Sequence, residues 1–171
     1  MDALLVIDVQ KALVTGAYRE HEFIEAAQTA IKRVRERSGV VVFIQHCHSS
    51  FEPMKKGNPG WQLHDALRPE DGDVFVEKEA SDSFYNTQLD DQLRQRGVDH
   101  LVVTGLQTEY CVDATCRSAL SRGYRVTLVS NGHTTGESLL SAAQIVAHHN
   151  HVLSNLAHPE NTIQLCRSDE L

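Results

Sequence analysis

The hydrophobic pattern alternates between short apolar runs and longer amphipathic segments. Five runs rich in branched aliphatic residues are typical of buried strands, and a weaker sixth follows near the end of the chain. They are residues 3–7, 40–44, 74–76, 101–103, 125–129 and 162–165. Because these runs contain almost no polar positions, they predict strands that are covered by other elements on both faces of a sheet.

The segments between most of these runs show the spacing of amphipathic helices. The first has its apolar residues on one face and ends near Gly39, and the others are expected at about residues 89–97, 111–122 and 137–149. Strands that alternate with helices indicate a mostly parallel sheet. We therefore predict a single α/β domain over residues 1–171, a three-layer α/β/α sandwich around a central, mostly parallel, Rossmann-like sheet of about six strands.

Composition narrows the functional classes. The chain has 171 residues, 23% charged residues and a net charge of −7 with both signs interspersed, which disfavours binding to nucleic acid or to an anionic membrane. No apolar stretch approaches the ~20 residues that span a bilayer, and the chain opens without the basic region of a signal peptide. We expect a cytoplasmic protein, no membrane partner and four free cysteine thiols.

Three chemically useful side chains follow separate strands. Asp8 closes the first apolar run, Lys78 follows the third, and Cys111 follows the fourth at the predicted start of a helix. Ligands of open α/β sheets bind beyond the carboxyl ends of the strands. A helix N-terminus also stabilises a thiolate. Cys111 alone is equally well interpreted as a nucleophile or as a buried core residue, but the convergence of the three residues favours an active site.

The motifs around these residues resemble those of the isochorismatase-like cysteine hydrolases, a family that includes nicotinamidases and N-carbamoylsarcosine amidohydrolase. The resemblance extends from Asp8 to about Thr135 and rests on three blocks in the same order. The blocks are Asp8-x-Gln10; Lys78 with Ser83, Phe84, Thr87, Leu89, Leu93 and Gly97; and Gly105, Thr108, Cys111, Val112, Thr115, Ala119 and Gly123.

The resemblance implies a catalytic triad of Asp8, Lys78 and Cys111. It also implies a cis peptide bond between Leu106 and Gln107, and an oxyanion hole formed by the backbone N–H groups of Gln107 and Cys111. Lys78 is expected to favour the thiolate of Cys111, and Asp8 to accept the thiol proton. Such a site would cleave an amide, carbamoyl or lactam C–N bond of a small molecule through a thioester, in a homodimer or larger homo-oligomer.

A second functional class stays open at this stage: a thiol-based small-molecule-binding or redox protein on the same fold that lacks turnover. The retained cysteine argues against vinyl-ether cleavage, because isochorismatase itself has no cysteine at this position. Retention of all three triad positions favours the hydrolase.

The sequence indicates pocket residues and metal ligands less clearly than the three clustered residues. Candidate pocket residues are equally well explained as packing residues, and they are Gln10, Leu13, Trp61, Phe84 and Tyr110. Nicotinamidases of the family bind a divalent metal through an aspartate and histidines after the second strand. Here His46, His48 and, later, His64 are the alternative zinc ligands, but the aspartate is missing. We therefore expect no cofactor and no metal.

Overall fold

The computed structural model describes residues 1–171 and contains one six-stranded sheet in the order β3-β2-β1-β4-β5-β6. All neighbouring strands pair in parallel. The strands are β1 (Asp2–Ile7), β2 (Val40–His46), β3 (Val74–Lys78), β4 (His100–Leu106), β5 (Arg125–Thr134) and β6 (Ile163–Cys166). Each predicted run forms a strand, so the predicted α/β class is confirmed.

Helices cover both faces of the sheet. They are α1 (Lys11–Val14), α2 (Glu20–Glu36), α3 (Leu89–Gln95), α4 (Asp113–Ser121) and α5 (Ala142–Ser154). In β1, Ala3, Leu5 and Ile7 join a core cluster with α3, α4 and α5. Leu4 and Val6 join a second cluster with α1 and α2. Both faces of β1 are therefore buried, which explains its uninterrupted apolar sequence.

Three predicted helix boundaries are wrong: the start of the third helix and both ends of the last one, which runs from Ala142 to Ser154 and not over residues 137–149. A π-helical turn, Thr108–Val112, precedes α4, so Cys111 lies within that turn and not at the first residue of a regular helix. The last helix begins at Ala142 because Ser141 and Gln144 form a capping box there, with each side chain bonded to the other's backbone N–H. None of the helices combines the length and the apolarity that crossing a membrane requires.

Close packing of β4 against β1 requires a residue without a side chain at Gly105. Its φ is +142°, and a Cβ there would overlap the carbonyl oxygen of Ile7. We expect Gly105→Ala to lower the free energy of unfolding by ~2 kcal/mol or more, measured by urea denaturation. Gly72→Ala is the control, since Gly72 also has a positive φ but a Cβ there would meet nothing within 4 Å. An equal loss in both variants would show that the contact with Ile7 is unimportant.

Candidate active site

The carboxyl edge of the sheet brings Asp8, Lys78 and Cys111 together. Lys78 is the last residue of β3, Asp8 directly follows β1, and Cys111 lies in the π-helical turn that follows β4. Asp8 has a left-handed backbone conformation with φ 53°, which aspartate tolerates better than most residues. The chain therefore turns immediately after β1, and the N–H of Asp8 still donates to the carbonyl of Ile44 in β2.

The ammonium group of Lys78 is the centre of the cluster. The side chains of Lys78 and Asp8 are 0% and 1% exposed. The Nζ atom lies 2.8 Å from Oδ2 of Asp8, 3.0 Å from the carbonyl oxygen of Ala80, 3.1 Å from Nδ1 of His46 and 3.2 Å from Sγ of Cys111. A buried ammonium is tolerated only when it is paired and hydrogen-bonded, and all of its partners here are acceptors.

Asp8 keeps one oxygen free. Its Oδ2 is paired with Lys78, whereas Oδ1 is buried and has no hydrogen-bond partner. Burial raises the pKa of Asp8 above its usual value, and the charge of Lys78 opposes that rise without cancelling it. The result is a carboxylate of increased basicity whose Oδ1 has no fixed partner, and the Cys111 thiol is near enough to lower the Asp8 pKa as a hydrogen-bond donor. A carboxylate oxygen of Asp8, the sulfur of Cys111 and a ring nitrogen of His46 all lie within 4.8 Å of one another.

Lys78 lowers the pKa of the Cys111 thiol, as expected, but burial and Asp8 outweigh its effect. Burial, followed by the negative charge of Asp8, raises the pKa of Cys111 to about 12, and the attraction of Lys78 is too small to reverse this. The charges of Asp8 and Lys78 act on the sulfur in opposite directions, and burial adds to the effect of Asp8. With so high a pKa, a thiolate formed before the reaction is disfavoured, and the thiol proton is best removed by a neighbouring base as the sulfur reacts.

Backbone and side-chain hydrogen bonds hold the turn that carries Cys111. The peptide bond between Leu106 and Gln107 is cis, and the carbonyl of Gln107 accepts from the N–H groups of Tyr110 and Val112. The hydroxyl of Thr108 bonds to Nδ1 of the buried His133 at 2.9 Å. The N–H of Gln107 itself donates to no acceptor in the protein, so it is available to a bound molecule.

Comparison with known proteins places this site in a family. The isochorismatase domain model matches residues 2–164. The chain belongs to the isochorismatase family. The resemblance inferred from the sequence motifs is thus confirmed, and it covers nearly the whole chain.

Relatives within the isochorismatase family include named hydrolases. Streptothricin hydrolase of Streptomyces noursei is 36% identical over 138 residues, 79% of this chain and 55% of that protein. Ureidoacrylate amidohydrolase of Methylobacterium radiotolerans is 35% identical over 123 residues, 71% of this chain and 48% of that protein. This chain therefore spans about half the length of these curated relatives.

Solved structures of the family agree with the fold. The crystal structure of an isochorismatase family protein matches with a TM-score of 0.84 and 31% identity, over 95% of this chain and 96% of that one. N-carbamoylsarcosine amidase from Thermoplasma acidophilum matches with a TM-score of 0.78 and 28% identity, over 99% of this chain and 98% of that one.

The three histidines proposed as alternative zinc ligands do not form a shared site. His46 groups with Asp8 and Cys111. Nδ1 of His48 accepts backbone N–H groups of its own loop, and Nδ1 of His64 caps a short 3-10 helix. The donor set around His46 does not suit a metal ion either, because the ammonium of Lys78 lies within 3.2 Å of an atom from each member and supplies the cationic charge itself.

Two of the five predicted pocket residues are structural. Gln10 is fully buried, and its side-chain amide donates to the carbonyls of His46 and Trp61 while accepting from the N–H of His46. The prediction of Gln10 as a pocket residue is therefore wrong: it ties the end of β2 to the following loop. Phe84 is also wrong, since it is buried in the core and stacks on Tyr124.

The other three predicted pocket residues have separate environments. Leu13 packs against the core cluster beside α2. Trp61 is partly buried in a 3-10 helix of the loop after β2. Tyr110 is 55% exposed next to Cys111. Of the three, Tyr110 alone is both adjacent in sequence to the nucleophile candidate and open to solvent.

The cavity beside the cluster has walls that sequence reasoning missed. It has a volume of about 550 Å³ and is lined by Cys47, Glu77, Lys78, Glu79, Ala80, Tyr85 and Asn86. A smaller cavity of about 140 Å³ shares Cys47 and Glu79 with it and adds His46, His48 and Ser49. Sequence position could have indicated two of these lining residues, since Glu79 and Ala80 directly follow Lys78 at the end of β3. A further cavity of about 550 Å³, between α2 and α5, contains none of the three clustered residues.

Proposed function

We propose that this protein is a cysteine amidohydrolase that cleaves an amide, carbamoyl or lactam C–N bond of a small molecule. The observation that carries the proposal is the sulfur of Cys111 beside a buried carboxylate with one unpartnered oxygen, both in reach of a single lysine. This arrangement provides a nucleophile, a proton acceptor and a fixed positive charge in one place. The chemistry uses protein groups alone and requires no cofactor.

The first step couples proton transfer to attack. Oδ1 of Asp8 takes the proton from Sγ of Cys111, and the sulfur forms a bond to the substrate carbonyl carbon. Lys78 stabilises the negative charge that develops on the sulfur. The carbonyl oxygen becomes an oxyanion, which the N–H groups of Gln107 and Cys111 stabilise in this proposal.

The remaining steps release the amine, hydrolyse the thioester and return the site to its starting state. Protonated Asp8 gives its proton to the leaving nitrogen, the C–N bond breaks, and an amine or ammonia departs from a Cys111 thioester. A water molecule then attacks the thioester carbonyl while Asp8 accepts its proton. The C–S bond breaks, the acid is released, and the proton held by Asp8 returns to the sulfur.

Two further observations support this proposal. Relatives over most of this chain are named as a hydrolase and an amidohydrolase, and a structural neighbour as an amidase. The raised pKa of Cys111 disfavours the alternative of a redox protein, because redox-sensing thiols are usually easily ionised. The homo-oligomeric state and the cytoplasmic location stay predictions.

The test is a panel of amides, carbamoyl and ureido compounds and lactams, with release of amine or ammonia as the measurement. Stopped reactions of the wild-type protein are then analysed by mass spectrometry for an acyl group on the peptide that contains Cys111. Release of amine together with that adduct supports the proposal. Hydrolysis that is unchanged in Cys111→Ala would contradict it.

The side chain of Gln107 provides an internal check on the oxyanion hole. Since only its backbone N–H is used, we expect Gln107→Ala to keep kcat within a few-fold of the wild-type value, whereas loss of a true oxyanion donor typically costs ~10²–10³ in rate. Steady-state kinetics on the best panel substrate measure this. A loss as large as that of a removed donor would show that the Gln107 side chain takes part directly.

A further inference from the structure

The ammonium of Lys78 has more acceptors than protons. It carries three N–H bonds, and four acceptor atoms lie within 3.2 Å of Nζ: Oδ2 of Asp8, the carbonyl oxygen of Ala80, Nδ1 of His46 and Sγ of Cys111. In the resting site, where the sulfur is protonated, the carboxylate of Asp8 and the carbonyl oxygen of Ala80 are the stronger acceptors. Nδ1 of His46 and Sγ of Cys111 therefore compete for the third N–H.

We propose that His46 is a positioning residue that holds the third N–H of Lys78 while the sulfur is neutral and releases it to the sulfur when charge develops there. The inference rests on the proposed function, because it concerns the sulfur that we assign as the nucleophile. It gives a role to a residue that neither the triad nor a metal site uses.

The exchange follows from acceptor strength. A neutral thiol is a weak acceptor and an imidazole nitrogen is a good one, so the resting ammonium donates to His46. A thiolate is anionic and accepts more strongly than neutral imidazole. As Asp8 removes the thiol proton, the third N–H turns from Nδ1 to Sγ. No proton leaves Lys78 in this exchange, and the thiol proton resides on Asp8.

His46 is suited to this exchange because it stays neutral. Nδ1 accepts only when the ring proton is on Nε2, and a charged ring would repel Lys78. Burial, followed by the charges of Lys78 and His48, lowers the pKa of His46 to about 4. The titratable groups that face the ring or share its small cavity are Asp8, Lys78, Cys111, Cys47, His48 and Glu79.

The proposal predicts an inverse effect of removing His46. In His46→Phe the ring volume is kept but the competing acceptor is gone, so the third N–H is committed to the sulfur and stabilises its thiolate. We expect the pKa of Cys111 to fall by about one unit. His46→Asn keeps an acceptor at the place of Nδ1 and should leave the pKa of Cys111 near its wild-type value.

The measurement is the rate of alkylation of Cys111 by iodoacetamide at several pH values below its pKa. It is made in a background in which Cys47 and Cys166 are replaced by serine, and the modified peptide is quantified by mass spectrometry. One unit gives about tenfold more thiolate, partly offset by its lower nucleophilicity, so the rate should rise several-fold in His46→Phe. Circular dichroism confirms that each variant is folded, and His46→Leu carries the same expectation if His46→Phe does not fold.

Three outcomes would overturn the proposal: a wild-type rate in folded His46→Phe, a slower rate there, or a His46→Asn rate equal to that of His46→Phe. A slower rate would indicate that His46 merely supports the position of Lys78. The experiment uses the free protein without substrate. Failure of the amide panel therefore leaves this result intact, and the two proposals fail separately.

Discussion

Asp8→Asn is expected to lower kcat by ~10²–10⁴ while making the thiol of Cys111 easier to ionise. The asparagine cannot take the thiol proton or protonate the leaving nitrogen, so turnover is lost. The negative charge that helps to raise the pKa of Cys111 is removed, and the positive charge of Lys78 stays. The two effects have opposite signs, which distinguishes loss of a proton carrier from general damage to the site.

Turnover of the best panel substrate and alkylation of Cys111 by iodoacetamide measure the two effects on the same preparations. Cys111→Ala is the reference for background hydrolysis, and circular dichroism establishes that Asp8→Asn is folded at the assay temperature. Slower alkylation together with slower turnover would mean that Asp8 chiefly holds the site in place. Unchanged turnover would exclude Asp8 as the base.

Lys78→Met is expected to have the largest effect on stability. It leaves the carboxylate of Asp8 buried without a counter-ion, and breaking a buried pair from one side typically costs ~3–5 kcal/mol. The pKa of Asp8 is already raised in the wild-type protein and rises further without Lys78. The folded variant therefore holds the carboxyl proton more tightly than the unfolded chain, whose aspartate has its usual pKa of ~3.9.

This linkage fixes the pH dependence of Lys78→Met. The loss relative to the wild-type protein is complete above the folded-state pKa of Asp8 in the variant. It shrinks as the pH falls towards the lower, though also raised, pKa of Asp8 in the folded wild-type protein, because a carboxyl that is protonated in both proteins needs no counter-ion. Urea denaturation of both proteins at about pH 7 and about pH 4 measures the difference. A loss that does not change with pH would show that Asp8 is not its source. Lys56→Met is the matched control: Lys56 pairs with Glu77 at the surface, and we expect little change there.

The sequence predicts the sheet and the convergence of the candidate site well, for a physical reason. Strands buried on both faces have no polar positions, so each apolar run is evident, and parallel strands present their carboxyl ends at one edge. Asp8 and Lys78 could therefore be placed together with Cys111 from strand ends alone. The capping box at Ser141 and Gln144 was also readable and would have placed the start of α5 correctly.

The ionisation of Cys111 could not be predicted in the same way. Its pKa depends on how deeply the sulfur is buried and on which of two opposite charges acts on it more strongly. Both are set by distances between segments far apart in the chain. The same applies to Gln10 and Phe84, which were predicted to line a pocket. Only the tertiary contacts show that their side chains bond to the backbone or pack in the core.

The position of β3 has a consequence for the behaviour of the site. This strand is outermost in the sheet and pairs with β2 alone, and Lys78 is its final residue. Local opening reaches outer strands more easily than central ones, so fraying there would withdraw the ammonium while β1 and β4 keep Asp8 and Cys111 in register. A molecule bound across all three strand ends would oppose that opening, since ligands stabilise the conformation they bind. Occupancy of the site and order at the margin of the sheet are thus thermodynamically linked.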